Sequence, residues 1–282
     1  MNIQLITDGG ADIPSEFSEN ITVVPLYLRF NNTEFKTGKD IDSQTFHDKV
    51  KQFKQVPTSS APSPNDFYEA LKQTDPTEPV LMISLSKALS STYDNAVTAK
   101  NQLLSEEPTR EIAVINTKSA SCGTALIIHE AKEKIKEDYS FEDIVSHLEE
   151  KVEDMSTLFL LKSLDNLIMG GRLDKVKGTI AKTLNIKLLL KASEEGAVEV
   201  SEKIRGSKRS LKRFIDQIDD YVTNVENKVI VMTHSNAKEY GQNVLNRILD
   251  RYPFKESYLT ETGPLISTYA SEEGLVISFF NT

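Results

Sequence analysis

Short apolar segments alternate with helical patterns through the first half of this chain, and this alternation restricts the fold more than any other feature. Each segment is too short for a helix and is rich in Val, Ile and Leu, as buried parallel strands are. Strands separated by helices are typical of βαβ units, so we expect a mostly parallel, Rossmann-like sheet. Its predicted strands are Ile3–Thr7, Thr22–Arg29, Val80–Leu85 and Ile112–Asn116.

The second half is predicted to form another α/β unit, with a mixed sheet. The turn residues Glu194-Glu195-Gly196 separate two apolar segments and indicate a β-hairpin, whose strands are antiparallel. We therefore predict two α/β domains, residues 1–155 and 156–282, with a crevice between them that is a usual place for a ligand. The predicted elements of this half are the strands Thr157–Lys162, Ile186–Lys191, Ala197–Lys203, Val229–His234 and Val276–Phe280, and the helices Ser207–Val222 and Lys238–Asp250.

The net charge and the cysteine content exclude several classes of protein. With a net charge of −9, the chain is not expected to bind nucleic acid or anionic membranes in general, since both are polyanions. The one cysteine, Cys122, has no partner for an internal disulfide, which fits a reducing compartment. No apolar run approaches the roughly 20 residues that span a bilayer, and the amino terminus does not resemble a signal peptide. We expect a soluble cytoplasmic protein without integral membrane contact.

Hydroxyl side chains are concentrated in loops of the first half that lead into helices. In an open parallel sheet, the loops after the strands gather at one edge, where ligands bind. Hydroxyl donors, backbone N–H groups and helix amino termini suit an anionic head group such as a carboxylate or a phosphate. The alternative for any single loop is that its Ser and Thr residues only cap helices. The loops are residues 7–12, 57–63, 86–93 and 117–123.

The sequence has none of the common catalytic or metal-binding patterns. It has no P-loop lysine pattern, no GxGxxG motif and no GxSxG-like turn for a serine nucleophile. Metal sites need convergent ligands, whereas the four histidines have no paired spacing, and we expect His129 and His147 on helix surfaces. We therefore predict no metal, no cofactor and no catalytic residue, which favours a binding protein over an enzyme. The histidines are His47, His129, His147 and His234.

Six short motifs occur in order along nearly the whole chain, and none of them is specific alone. They are Thr7-Asp8 followed by Asp12, Pro57–Phe67, Leu89–Tyr93, Asn116–Ser119, Leu164–Leu173 and Gly263–Ile266. Together they resemble the motifs of the DegV family, whose fatty-acid-binding members are called FakB proteins. The resemblance implies two α/β domains that hold an acyl chain in a tunnel between them. It also implies a separate fatty acid kinase, which phosphorylates the bound acid.

The same resemblance implies a set of site residues. Ser59 and Ser90 match the positions whose hydroxyls hold the fatty acid carboxylate, with help from backbone N–H groups around Ser91. Tyr269 stands where the family has a histidine, Ala61 replaces its glutamine and Ser91 replaces a glycine. Thr58, Ser60, Asp8 and Arg172 are expected to support the site. The alternatives are another anionic lipid as the ligand, a regulatory module, or a serine-based hydrolase or transferase, which lacks an obvious base.

Overall fold

The computed structural model describes residues 2–173 and 186–282. Two short 3-10 turns, Ser15–Phe17 and Gln217–Asp220, accompany the helices and strands. In chain order, the elements of the first half are β1 (Gln4–Asp8), β2 (Ile21–Val24), β3 (Tyr27–Phe30), β4 (Thr33–Lys36), α1 (Ser43–Phe53), β5 (Thr58–Ser60), α2 (Pro64–Lys72), β6 (Val80–Ser84), α3 (Thr92–Glu106), β7 (Ile112–Asn116), α4 (Cys122–Lys136) and α5 (Phe141–Glu153). The second half has β8 (Met155–Leu160), α6 (Asp165–Met169), β9 (Ile186–Ala192), β10 (Val198–Arg205), α7 (Ser207–Asp216), β11 (Val229–His234), α8 (Lys238–Leu249), β12 (Glu256–Glu261), α9 (Pro264–Ala270) and β13 (Leu275–Phe280).

The first sheet is parallel and its inner strands β1 and β6 are buried on both faces, which confirms the Rossmann-like prediction. Its strand order is β2-β1-β6-β7, with every neighbouring pair parallel. Ile6 and Met82 pack on one face with side chains of α2 and α3. Leu5 and Leu81 pack on the other face with side chains of α4. Alternate residues thus serve opposite faces, and the loops that follow β1, β6 and β7 lie at one edge.

The second sheet is mixed, as the sequence predicts. Its order is β10-β9-β8-β13-β11-β12, in which β11 and β12 are parallel and the other pairs are antiparallel. The hairpin β9–β10 turns at Gly196, which has a φ of +82°. A Cβ at Gly196 would lie 2.4 Å from Ser86 Oγ and 2.6 Å from Lys118 Cα. The glycine therefore lets this turn pack closely against two loops of the first half.

Helix α4 joins the two halves through a common hydrophobic core. Its residues Leu126 and Ile127 belong to a buried cluster that includes Leu81 of the first sheet and Val231 and Val276 of the second. The position of α4 contradicts the expectation for His129, which is 6% exposed rather than on a helix surface. Because α4 is covered by both sheets, burial lowers the pKa of this imidazole.

The predicted strand Thr22–Arg29 is wrong in detail, because β2 ends at Val24 and β3 begins at Tyr27. The two strands belong to different sheets, and β3 lies in a small antiparallel sheet of order β4-β3-β5. Pro25 lies in the gap, where its missing N–H cannot take part in a ladder of hydrogen bonds. After this break the chain continues as β3 in the small sheet, and strand β5 of the same sheet contains Ser59.

The second half departs from prediction in a few elements. The predicted helix Ser207–Val222 is α7, which ends at Asp216 and is followed by the 3-10 turn Gln217–Asp220. Strand β12 and the short helices α6 and α9 were not predicted. Among the described residues, every helix is too short or too polar to cross a bilayer.

Candidate ligand-binding site

An apolar cavity lies among α9, strands β8 and β13 of the second sheet, and loops of the first half. Its empty volume, which includes the open space at its mouth, is about 700 Å³. Its apolar lining consists of Leu26, Leu85, Leu89, Ala120, Phe159, Leu161, Leu167, Val198, Leu265, Ile266, Ala270 and Val276. Its polar lining consists of Ser59, Ser90, Ser121, Arg172 and Tyr269.

Three of the predicted residues form a connected polar cluster, here called the Ser59–Arg172–Tyr269 cluster. The Ser59 and Tyr269 hydroxyl oxygens are 2.7 Å apart, and either group is able to donate the hydrogen bond. The Arg172 guanidinium carbon lies 5.4 Å from the centroid of the Tyr269 ring, which is within the range of a cation–π contact. Neighbouring hydroxyls and a guanidinium are the donors that an anionic head group needs.

Arg172 is held in place by backbone carbonyl groups rather than by a carboxylate. Its Nε donates to the Leu89 carbonyl at 3.1 Å, and its Nη1 donates to the Gly170 carbonyl at 2.5 Å. Within residues 2–173 and 186–282, no carboxylate forms an ion pair with it. Its positive charge is therefore not neutralised by a described side chain, and it lines the cavity.

The register of β5 selects Ser59 from three consecutive hydroxyl residues. Strand β5 pairs with β3, where Ser59 is opposite the fully buried Leu28. Successive side chains of a strand point to opposite faces. Ser59 therefore faces the cavity, whereas Thr58 and Ser60 are exposed and do not line it.

Tyr269 reaches the cluster because α9 packs closely against the end of α6. A Cβ at Gly170 would lie 2.5 Å from a carbon of the Tyr269 ring, so the glycine makes room for the ring. Asn166 of α6 donates a hydrogen bond to the Thr268 carbonyl at 2.9 Å and fixes the two helices. The role of Gly170 was not predicted, although it belongs to the motif Leu164–Leu173.

Ser90 lines the cavity and also forms hydrogen bonds with the first residue of helix α3. Its Oγ accepts a hydrogen bond from the Thr92 N–H at 3.3 Å and lies 2.8 Å from the Thr92 hydroxyl. Both interpretations of this serine are therefore compatible with its position at the start of the 15-residue helix α3. Ser91 is exposed at the adjoining cap position and does not line the cavity.

Asp8 does not line the cavity but forms hydrogen bonds that fix a lining residue. Its Oδ1 accepts from the Gly10 N–H at 2.8 Å. Its Oδ2 accepts from the Ser84 hydroxyl at 2.8 Å and from the N–H of Leu85, a lining residue, at 3.0 Å. Complete burial raises the pKa of the Asp8 carboxyl, and these hydrogen bonds oppose that shift.

Ser121 is a lining residue that sequence reasoning did not single out. It belongs to the hydroxyl-rich loop 117–123, but nothing in the sequence distinguishes it from Ser119. None of the four histidines lines the described cavity. Nor do three or more His, Cys, Asp or Glu side chains converge as metal ligands within the described ranges.

Comparison with known proteins adds a family and several structural relatives. The sequence profile of the DegV family, described as "Uncharacterised protein", matches residues 2–282. A DegV domain-containing protein of Streptococcus pyogenes serotype M1 is 29% identical over 285 residues, with 99% of each chain covered.

Two solved structures with bound fatty acids are similar to this chain over its whole length. A DegV family protein from Ruminococcus gnavus, refined with vaccenic acid, has a TM-score of 0.91 at 27% identity and covers 98% of this chain and 99% of its own. The Fatty Acid Kinase (Fak) B3 protein of Streptococcus pneumoniae, loaded with linoleic acid, has a TM-score of 0.89 at 28% identity and 100% coverage of both chains.

Proposed function

This chain belongs to the DegV family, and we propose that it binds one long-chain fatty acid in the cavity, with the carboxylate at the Ser59–Arg172–Tyr269 cluster. The observation that carries the proposal is the division of the cavity lining into many apolar side chains and a few grouped polar ones. A fatty acid has the same division into a long apolar chain and one charged group. Its relatives that were crystallised with fatty acids support the assignment.

The apolar lining accounts for most of the expected affinity. Burying about 14–16 methylenes at roughly 0.8 kcal/mol each contributes about 11–13 kcal/mol, part of which is offset by ordering the chain. The head group orients the ligand. Since Ser59 and Tyr269 share one hydrogen bond, the second hydroxyl hydrogen remains free to be donated to a carboxylate.

The geometry of the site fits a carrier role better than it fits a serine hydrolase activity. A serine nucleophile needs an adjacent base, but the side-chain partner of Ser59 is Tyr269 and that of Ser90 is Thr92. We propose that the protein is not itself an enzyme and acts in the cytoplasm, with the domains 1–155 and 156–282 on either side of the tunnel. The first supplies hydroxyl loops for the head group and the second closes the acyl tunnel.

We further propose that a separate fatty acid kinase phosphorylates the bound acid. The likeness to the Streptococcus pneumoniae Fatty Acid Kinase (Fak) B3 protein over both full lengths supports this partner. Tyr269 donates a hydrogen bond to the carboxylate but, unlike histidine, cannot become positively charged. The cation beside the head group is instead Arg172.

Mass spectrometry of lipid released from the purified, denatured protein tests the proposed function. We expect about one fatty acid per chain, and we expect added fatty acids to raise the melting temperature of the delipidated protein. A fatty alcohol of the same chain length is the control ligand, because it has the same apolar tail as the fatty acid but no charge. A protein that carries no lipid and is not stabilised by any fatty acid would contradict the proposal.

A further inference from the structure

Helix α9 forms one side of the cavity, so its position determines the shape of the site. It carries the Tyr269 hydroxyl of the Ser59–Arg172–Tyr269 cluster and part of the apolar wall. Its four lining residues are Leu265, Ile266, Tyr269 and Ala270.

Three side chains from elsewhere in the described ranges bond to the backbone of residues 262–270. The Ser43 hydroxyl donates to the Thr262 carbonyl at 2.9 Å, and Asn166 donates to the Thr268 carbonyl. Asp12 Oδ1 accepts from the Gly263 N–H at 2.7 Å. Asp12 is the one ionisable group among these three.

Asp12 connects α9 to the cavity floor and to the second sheet. The side chain is buried, and its Oδ2 lies 2.6 Å from the hydroxyl oxygen of Ser121, which lines the cavity. The Ser121 oxygen lies 2.9 Å from the Thr233 hydroxyl oxygen at the end of β11. One carboxyl thus joins the loop after β1, the start of α4, the end of β11 and the start of α9.

We propose that Asp12 is a positioning residue of the ligand site: through Gly263 it holds α9, and with it Tyr269, against the cavity, and protonation of its buried carboxyl favours this closed position of the helix. The inference rests on the proposed function, because the positioned groups are those that contact the fatty acid.

The hydrogen bonds around Asp12 are satisfied in both protonation states, but burial penalises the ionised state. In the neutral state Oδ2–H donates to Ser121, the Ser121 hydroxyl donates to Thr233, and Oδ1 accepts from Gly263. In the ionised state Ser121 donates to Oδ2 instead, and no described cation accompanies the buried charge. Desolvation raises the pKa of Asp12 to about 7, against the hydrogen bonds from Ser121 and Gly263.

Movement of α9 away from Asp12 would admit water and return its pKa toward the ordinary value of about 3.9. The closed form then binds the proton more tightly than the open form, so protonation favours closure and ionisation favours opening. The same sign applies to folding: stability from this group is greatest at low pH and is lost as the pH rises to about 7.

The other titratable groups around Asp12 do not bond to α9. Asp8 on β1, whose pKa is raised by burial, bonds to Gly10, Ser84 and Leu85. Burial raises the pKa of the Cys122 thiol to about 12, so it stays protonated. Burial also lowers the pKa of His234, whose Nδ1 accepts from the Ala237 N–H.

The test is the rate at which a fluorescent fatty acid, cis-parinaric acid, leaves the protein for excess albumin at pH 6 and pH 8. With a closed-state pKa of about 7, we expect wild-type release to be about tenfold faster at pH 8. Asp12→Asn keeps a neutral acceptor and donor, and should release slowly at both pH values. Asp12→Ala removes the contact and should release rapidly at both.

Asp154→Asn is the matched control, because Asp154 accepts the Thr282 N–H far from α9. It should keep the wild-type pH profile. An Asp12→Asn variant that still releases tenfold faster at pH 8, or an Asp12→Ala variant with wild-type rates, would overturn the inference.

Amide hydrogen exchange in the unliganded protein separates this inference from the proposed function. At pH 8 the α9 amides of the wild-type protein should be less protected from exchange than those of Asp12→Asn. At pH 6 the two proteins should show equal protection. If no fatty acid binds, the proposed function fails, whereas the exchange result still decides whether Asp12 positions α9. Equal protection in both proteins at pH 8 would contradict the inference.

Discussion

The cavity has two differently built regions, an apolar wall that is shared by strands, loops and helices and a polar cluster on short elements. Phe159 of β8, Val198 of β10 and Val276 of β13 contribute to the wall, and their strands belong to one six-stranded sheet. Ser59 lies on a three-residue strand and Tyr269 on a seven-residue helix. The wall therefore provides non-directional burial from many side chains, whereas the cluster depends on the placement of a few atoms.

The largest expected effect comes from filling the apolar wall. Val198→Trp places an indole in the path of the acyl chain. Excluding about six methylenes at roughly 0.8 kcal/mol each should weaken binding of an 18-carbon fatty acid by about 5 kcal/mol. Calorimetric titration with 8-carbon and 18-carbon acids measures it, with Val198→Ile as the control. Equal losses for both acids would mean that the tail does not lie along Val198.

The second effect concerns the charge in the polar cluster. Arg172→Gln should weaken fatty acid binding by about 1.5–3 kcal/mol, as expected for a hydrogen bond to a charged group. The same substitution should leave the affinity for the corresponding fatty alcohol nearly unchanged, since the alcohol carries no charge. If the fatty acid and the fatty alcohol lose equal binding free energy, Arg172 contributes to the cavity wall and does not contact the carboxylate.

The third effect concerns Tyr269. Tyr269→Phe should weaken carboxylate binding by about 1–3 kcal/mol, because an anion in a dry site loses a donor. Tyr269→His should strengthen binding as the pH falls from 8 to 6, since a protonated imidazole adds a cation. Titrations at both pH values check this, with the Phe variant as the baseline. If Tyr269→Phe binds fatty acid with wild-type affinity, the Tyr269 hydroxyl does not contact the carboxylate.

The smallest effects are expected for two neighbours of Ser59 on β5. Ser59→Ala should weaken fatty acid binding by about 1.5–3 kcal/mol, because its hydroxyl faces the cavity. Thr58→Ala and Ser60→Ala, whose side chains are exposed, should change affinity by less than about 0.5 kcal/mol. The alanine series is measured by the same titration, and similar effects at all three positions would contradict the strand register.

A similar contrast explains which strands and helices could be predicted from the sequence. Strands β7 and β11 match their predicted bounds because each contains a short apolar run rich in Val and Ile, which is typical of strands in a buried sheet. Helix α9 escaped prediction because its sequence, PLISTYA, is short and buries Ser267 and Thr268 as well as Leu265. Strand β12 was missed because ESYLTE has no fully buried residue.

The candidate site was identified from the sequence only in part. Ser59, Ser90, Arg172 and Tyr269 all line the cavity, but Thr58, Ser60, Ser91 and Asp8 do not. For Ser59 and its neighbours Thr58 and Ser60, the distinction depends on the pairing of β5 with β3, a strand that begins after the break at Pro25. Such tertiary pairings leave no periodic pattern in a three-residue strand.

The most direct test of this account is a crystal structure with a fatty acid brominated at its terminal carbon. We expect an anomalous bromine peak within the apolar lining and a carboxylate within hydrogen-bond distance of Ser59 and Arg172. A bromine peak beside Arg172, or density only outside the cavity, would contradict it.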